Sequence, residues 1–220
     1  MALLKIDEST CTRCGLCAAI CPGYFIYSRK NSFPNQRPEI DMDCVRCGHC
    51  VAVCPSGSLT HLDLPLEQCT AIEKSLDVSF AQVAQLIKGR RSIREFKNSR
   101  VLPEDIERII EVAHYAPTGH NDQDVRWLAI ANPAMIKHLS AIGLEWMRWA
   151  VTNIPGMEPV IGGLLKLQES GKDAFLRDAP AVVFTFGPKN SPISSIDCVS
   201  AAAYFDLAAV GAGLGCCWNG

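Results

Sequence analysis

A run of cysteines written twice sets the first limit on this chain. One copy reads Cys11-Thr12-Arg13-Cys14-Gly15-Leu16-Cys17-Ala18-Ala19-Ile20-Cys21-Pro22. The other reads Cys44-Val45-Arg46-Cys47-Gly48-His49-Cys50-Val51-Ala52-Val53-Cys54-Pro55. Both follow C-x2-C-x2-C-x3-C-P. A cubane of iron and sulfur needs thiolates from several directions, and three close cysteines on a tight loop can wrap three of its corners. The fourth, beside proline, lies too far along to close the same loop and reaches another cluster. Zinc sites also use C-x2-C pairs, but four-ligand zinc has no use for a third cysteine so close and a fourth before proline. A disulfide framework belongs to secreted chains, and the opening Met1-Ala2-Leu3-Leu4-Lys5 is too short and wrongly ordered for a secretory signal.

The repeated run resembles the two-[4Fe-4S] bacterial ferredoxins over about the first quarter of the chain. That resemblance implies one cluster on Cys11, Cys14, Cys17 and Cys54, and a second on Cys44, Cys47, Cys50 and Cys21. It places a ferredoxin-like domain over 1–64, with short strands over 24–27 and 39–42 and a closing strand over 58–63. His61 fits that last strand pattern and reads as structural rather than as a ligand. Twelve cysteines without a secretory signal belong in a reducing compartment, the cytoplasm. Of the four outside the repeat, Cys198 reads as apolar filler, and no role is assigned to Cys69. A near balance of Lys+Arg 21 against Asp+Glu 23 implies no polyanion partner, so no nucleic-acid partner is expected. No apolar run is long enough to span a membrane.

Residues 65–78 read as a linker, and the hydrophobic period then becomes helical over 79–220. Ser79 is a candidate N-cap for a helix with Phe80, Val83, Leu86 and Ile87 on its apolar face. Pro103-Glu104-Asp105 opens a second helix, with apolar Ile106, Ile109, Ile110 and Ala113. Segments 125–131 and 181–186 suit buried strands. The stretch 133–177 reads as mainly helical, broken at Gly143, Pro155-Gly156, Gly162-Gly163 and Gly171. Its Trp146 and Trp149 suit core or dimer contacts, or the wall of a substrate pocket. An alanine-rich helix over about 195–210 ends in glycines. The fold class expected is α+β, a small cluster-binding domain followed by a larger α+β domain.

Three segments carry the second signature. Lys88-Gly89-Arg90-Arg91-Ser92-Ile93-Arg94 gathers guanidinium forks and a hydroxyl, the groups a phosphate monoester needs. Ala116-Pro117-Thr118-Gly119-His120-Asn121 closes the second helix. Gly211-Ala212-Gly213-Leu214-Gly215-Cys216-Cys217-Trp218-Asn219-Gly220 closes the alanine-rich one. In this order and spacing they resemble the FMN-binding nitroreductase family, an α+β homodimer with FMN at the subunit interface. The resemblance implies that Arg90, Arg91, Ser92 and Arg94 hold the flavin phosphate and ribityl chain. Pro117, Thr118, Gly119 and Asn121 would approach from the partner subunit. Cys217, Trp218, Asn219 and Gly220 would run along the ring edge, a backbone N–H near Asn219 or Gly220 donating to its N5 atom. His120 reads as a surface or interface histidine, with proton donor as the alternative. Cys216 and Cys217 read as packing residues. This chain departs from the family at Gln123-Asp124-Val125, where proline and an aromatic residue are common. It also stops at Gly220, where relatives run on through a further strand, a basic phosphate contact and an arm, so the C-terminal part of the domain is expected to be missing.

Taken together, these segments lead us to expect an oxidoreductase passing electrons between two clusters and FMN to reduce a small electrophile such as a nitroaromatic, a quinone or an activated double bond. The electron donor would be NAD(P)H or a redox protein. Two other readings stay open: an electron-transfer or redox-sensing module without its own substrate, and flavin-dependent reductive dehalogenation or ring reduction.

Overall fold

The computed structural model of the chain describes residues 3–37 and 44–219. The strand expected over 39–42 and the site residue Gly220 lie outside them. The chain divides into two compact units, Met1–Asp77 with His120–Asp122, and Val78–Gly119 with Gln123–Gly220. No helix among the described residues is long and apolar enough to cross a membrane.

The first unit is built twice from one small plan. Strand β1 (Leu4–Ile6) leads into the first cysteine loop and helix α1 (Leu16–Ile20), then β2 (Ile26–Tyr27) and β3 (Asn35–Gln36). The second loop leads into α2 (His49–Ala52) and β4 (Leu59–His61). β1 pairs antiparallel with β4, Leu4 opposite His61, and β2 with β3, Ile26 opposite Gln36. The copies agree in backbone detail. Arg13 and Arg46 both take positive φ, as do Gly15 and Gly48, which start the two helices. The chain must turn back on itself between cysteines here, and glycine takes that left-handed geometry without a Cβ penalty. The core is small: Cys17, Phe25, Ile26, Val51 and Leu59. So few apolar side chains make a weak core for a unit this size, and groups that cross-link its loops would add stability.

The second unit is α+β. Helices α3 (Phe80–Gly89) and α4 (Pro103–Ala113) come first, then β5 (Arg126–Ile130), α5 (Pro133–Asn153), α6 (Glu158–Glu169), β6 (Val182–Phe186) and α7 (Ser194–Gly211). Ser79 caps α3 as expected, and its side chain and that of Gln82 form a reciprocal capping box. Along α4, Ile106, Ile109 and Ala113 are buried, and the helix lies against α7. β5 and β6 form a two-stranded antiparallel sheet, Arg126 opposite Phe186 and Ile130 opposite Val182.

Three expectations need correction. The strands are not buried: Leu128, Phe184 and Phe186 are exposed, because two strands alone leave one face uncovered. α5 runs unbroken through Gly143, where the Phe175 ring occupies the space a Cβ would take. α6 likewise runs through Gly162 and Gly163. Of the expected interruptions, the chain turns at Gly156 and Gly171, both with positive φ. Two apolar clusters hold the unit, one around Leu144, Met147, Ala150, Ile161 and Ala174, the other around Ala116, Val125 and Ala201 with Trp127 and Cys198 beside it. Cys198 thus fills apolar space as expected.

Candidate redox centres

The eight cysteines of the repeat line two separate cavities. One, with an empty volume of about 390 Å³, is lined by Cys21, Cys44, Cys47 and Cys50 among apolar neighbours such as Leu4, Phe25 and Ile26, and by His61. The other, about 350 Å³, is lined by Cys11, Cys14, Cys17 and Cys54 with Ile6, Leu16, Pro34 and Leu59. Each cavity takes three cysteines from one copy and the fourth from the other. Among the described residues no three His, Cys, Asp or Glu side chains are arranged around a single ion. A four-iron cluster is a body rather than a point, and four thiols around a cavity suit it where they would not suit zinc.

The thiols feel one another in the same two sets. Burial pushes the Cys50 thiol up to about 11, and Cys47, Cys44 and Cys21 add to the shift. Burial also raises Cys44, reinforced by Cys21 and Cys47, and raises Cys17, reinforced by Cys14 and Cys54. Cys54 goes the other way. Burial raises it, but hydrogen bonds from the Ser56 hydroxyl and from the backbone of Ser58, Ser56 and Leu59 outweigh that and lower it overall. Ligation requires thiolate, so metal would displace these protons. His61, which the sequence pattern marks only as a strand residue, is fully buried with its Nε2 3.5 Å from the Cys44 sulfur. Burial lowers its pKa, with Asp63 opposing and Arg46 assisting. No sequence periodicity pairs His61 with Cys44, because they lie 17 residues apart on a strand and a loop that meet only in the folded unit.

In the second unit the segment around residues 90–94 meets the segment 213–219. The Ile93 N–H donates to the Cys216 carbonyl at 2.8 Å, and Ile93 fills the space a Cβ on Gly215 would need. Arg90 pairs with Asp206 of α7 at 3.1 Å. The Arg91 guanidinium donates to the carbonyls of Lys88 and Arg90 at 2.7 and 2.9 Å, closing the C-terminal end of α3. Ser92 is half-buried and Arg94 exposed. Asn219 donates to the Phe175 carbonyl at 3.3 Å, and the Cys217 thiol lies 3.7 Å from the Trp218 carbonyl. Burial, the Asp206 carboxylate and Cys217 push Cys216 up to about 11, so it remains a thiol.

Pro117, Thr118 and Gly119 lie elsewhere. The Gly119 N–H donates to buried Asp197 at 3.1 Å, and Ile193 packs where a Gly119 Cβ would stand. Asp197 and Asp206 are nine residues apart on α7, about 14 Å at the helical rise. Within one protomer the two segments are therefore anchored toward opposite ends of α7. His120 is exposed, and His120–Asp122 group with the first unit, where the Asn121 amide donates to the Val45 carbonyl at 2.9 Å.

Residues 87–220 match the family model described as the nitroreductase family. The chain belongs to the nitroreductase family. Residues 10–58 match the model for a 4Fe-4S dicluster domain. An iodotyrosine deiodinase of Thermotoga neapolitana is 27% identical over 130 residues, 59% of this chain and 69% of its own length. An FMN-bound nitroreductase from Bacteroides fragilis shares the nitroreductase fold at a TM-score of 0.52 and 23% identity, over 62% of this chain and 68% of its own. A BluB-like flavoprotein from Clostridium difficile does so at 0.50 and 21%, over 62% of this chain and 73% of its own. This member of the nitroreductase family is thus an oxidoreductase by family, with a 4Fe-4S dicluster domain over residues 10–58.

Proposed function

We propose that this chain reduces a small electrophilic acceptor at FMN, with electrons exchanged through its two clusters. The observation that carries the reading is the pair of cavities, each lined by four cysteines drawn from both copies of the repeat, in the same chain as the joined segments 90–94 and 213–219. When bound, clusters handle single electrons and FMN handles two together with a proton, so the pair converts between the two kinds of transfer.

The residues divide the work as follows. Cys11, Cys14, Cys17 and Cys54 hold one cluster, and Cys44, Cys47, Cys50 and Cys21 the other. Ser92 and Arg94 contact the flavin phosphate. Arg90, oriented by Asp206, and Arg91, which closes α3, shape the loop that presents them. Cys217, Trp218 and Asn219 border the ring, where the close approach of Gly215 to Ile93 fixes the backbone. Pro117, Thr118 and Gly119, held toward the other end of α7, serve the site of the partner subunit in a homodimer. NAD(P)H or a redox protein supplies electrons. The acceptor takes two electrons and two protons if it is a quinone, or a nitro group going to nitroso with its oxygen leaving as water.

A second reading is favoured by the deiodinase relative. In reductive dehalogenation a carbon–iodine bond is replaced by carbon–hydrogen, consuming two electrons and one proton and releasing iodide. One anaerobic experiment separates the readings: steady turnover against a nitroaromatic, a quinone and an iodotyrosine with NADH or a reduced ferredoxin as donor. Turnover of the first two supports the primary reading, and iodide release alone moves the assignment to dehalogenation. Cluster-free Cys→Ser protein should lose the ferredoxin-driven rate. If that rate is unchanged, the clusters are not in the circuit.

A further inference from the structure

His61 occupies a place in the first unit that a structural strand residue does not require. Its side chain is only 1% exposed and lines the cavity of Cys21, Cys44, Cys47 and Cys50. The backbone decides its tautomer. The Asp63 N–H donates to His61 Nδ1 at 3.1 Å, in the turn where the Leu64 N–H also returns to the His61 carbonyl. An Nδ1 that accepts cannot carry a proton, so the ring hydrogen of the neutral imidazole is on Nε2. Nε2 is the atom 3.5 Å from Cys44 Sγ.

The first copy of the repeat has no counterpart. Ser28 stands at the matching position, and its hydroxyl donates to the carbonyls of Arg29 and Ser32. Among the described residues, no histidine lines the cavity of Cys11, Cys14, Cys17 and Cys54. Its nearest comparable feature is the Ser56 hydroxyl, a longer 3.8 Å from Cys54 Sγ in an exposed setting. Two loops that share their positive-φ turns therefore differ in a buried N–H donor at one ligand sulfur.

We infer that His61 is a positioning residue for potential: its Nε2–H hydrogen-bonds the Cys44 thiolate and raises the reduction potential of the cluster held by Cys21, Cys44, Cys47 and Cys50, making the two clusters inequivalent. The physical ground is charge. Adding one electron makes a cluster and its thiolates more negative, so a donated N–H stabilises the reduced form more than the oxidised one. The electron then settles preferentially on this cluster. The inference rests on the cysteines being cluster ligands.

The test is an EPR-monitored redox titration of the full-length protein, reconstituted anaerobically, as wild type, His61→Leu and His61→Gln. Leucine removes the donor, while the glutamine amide can restore one near Nε2. In His61→Leu one midpoint should fall, by about tenfold in the reduced-to-oxidised ratio or 59 mV for one electron, while the other stays put. His61→Gln should recover most of the shift. Two clusters with both midpoints unmoved in His61→Leu would overturn the inference, as would a glutamine shift equal to that of leucine. Should His61→Leu fail to retain a cluster, pulsed EPR of wild type grown on 15N-histidine decides the matter. A nitrogen coupling in the reduced signal, lost in His61→Gln, is expected; its absence overturns the inference. Iron and sulfide analysis keeps the failures apart. Wild type without clusters sinks the ligand reading itself, whereas eight irons with unmoved midpoints sinks the role of His61 alone.

Discussion

Arg90 and Arg94 lie in one segment and meet different surroundings. The Arg90 guanidinium is half-buried against Asp206, while Arg94 is exposed. If Arg94 contacts phosphate directly and Arg90 acts through the loop, Arg94→Ala should shed FMN on gel filtration with cluster absorbance and folding unchanged. Arg90→Ala should in addition lower stability, because it leaves Asp206 without its cation. Equal flavin retention in wild type and Arg94→Ala would remove Arg94 from the site. Asp173 shows a different use of charge. One carboxylate accepts from the Ser140 hydroxyl at 2.5 Å and from the backbone N–H groups of Phe175, Leu176 and Asp178 at 3.0, 3.1 and 3.2 Å. Burial raises its pKa, but these bonds outweigh burial and hold it below 3.8. A depressed carboxylate stabilises the fold fully above its unfolded pKa and loses that contribution as pH falls through the folded one. Asp173→Asn should therefore cost roughly 1 kcal/mol at pH 7, the bonds to a charged group being discounted for partial solvent screening, and its gap from wild type in melting temperature should close as pH drops below 3.8. A gap constant with pH would mean shape, not charge, matters at this position. At this scale the two sets of cysteines that line the cavities are legible in the sequence because the spacing is written twice. The pairings of Arg90 with Asp206, Asp173 with Ser140 and His61 with Cys44 are not, since each joins separate segments of the chain.

At the scale of elements, caps and turns read well and glycines do not. Ser79 with Gln82 announces α3, and Pro103 with two acids announces α4, because those signals act on the backbone of the same turn. Gly143, Gly162 and Gly163 look like helix breakers yet sit inside α5 and α6. The pattern alone cannot say whether a helical glycine is a weakness or a clearance. Gly143 is a clearance, since the Phe175 ring stands where its Cβ would go, whereas a Cβ on Gly163 would meet nothing within 4 Å. Opposite outcomes follow. Gly163→Ala should stabilise by roughly 0.5–1 kcal/mol through helix propensity. Gly143→Ala gains the same propensity but must push Phe175 aside, an overpacking cost of about 1–3 kcal/mol that outweighs it. Phe175 also carries the carbonyl bonded by Asn219, so the displacement should reach the segment 213–219 and weaken flavin binding. Denaturant midpoints of the two variants should fall on either side of wild type. Both on the same side would show that propensity or packing has been misjudged at one of them.

At the scale of the molecule, the second unit leaves apolar surface uncovered along one line. Met135, Ile142, Trp146 and Trp149 recur at helical spacing on α5 and are all exposed, beside a face that buries Ile136, Leu144, Met147 and Ala150. Neither indole is in the core of the protomer. Large contiguous apolar surface on a folded chain marks an interface, and an α5 that is apolar on both sides suits a helix covered by its own unit on one side and by another chain on the other. The proposed homodimer supplies that chain, and the anchoring of Pro117, Thr118 and Gly119 toward the far end of α7 from Arg90 gives the dimer a chemical purpose, because each flavin site would draw on both subunits. The two claims can be tested together. Sedimentation should report a dimer for wild type and a monomer for the Trp146→Lys, Trp149→Lys double variant. FMN affinity should fall with the loss of the dimer, at least tenfold if one partner segment is removed from the site, about 1.4 kcal/mol. Cluster absorbance should persist, since all eight cysteines belong to the other unit. A double variant that is monomeric yet retains FMN at wild-type affinity would leave the interface standing but confine the flavin site to one subunit. One that stays dimeric would move the interface away from α5.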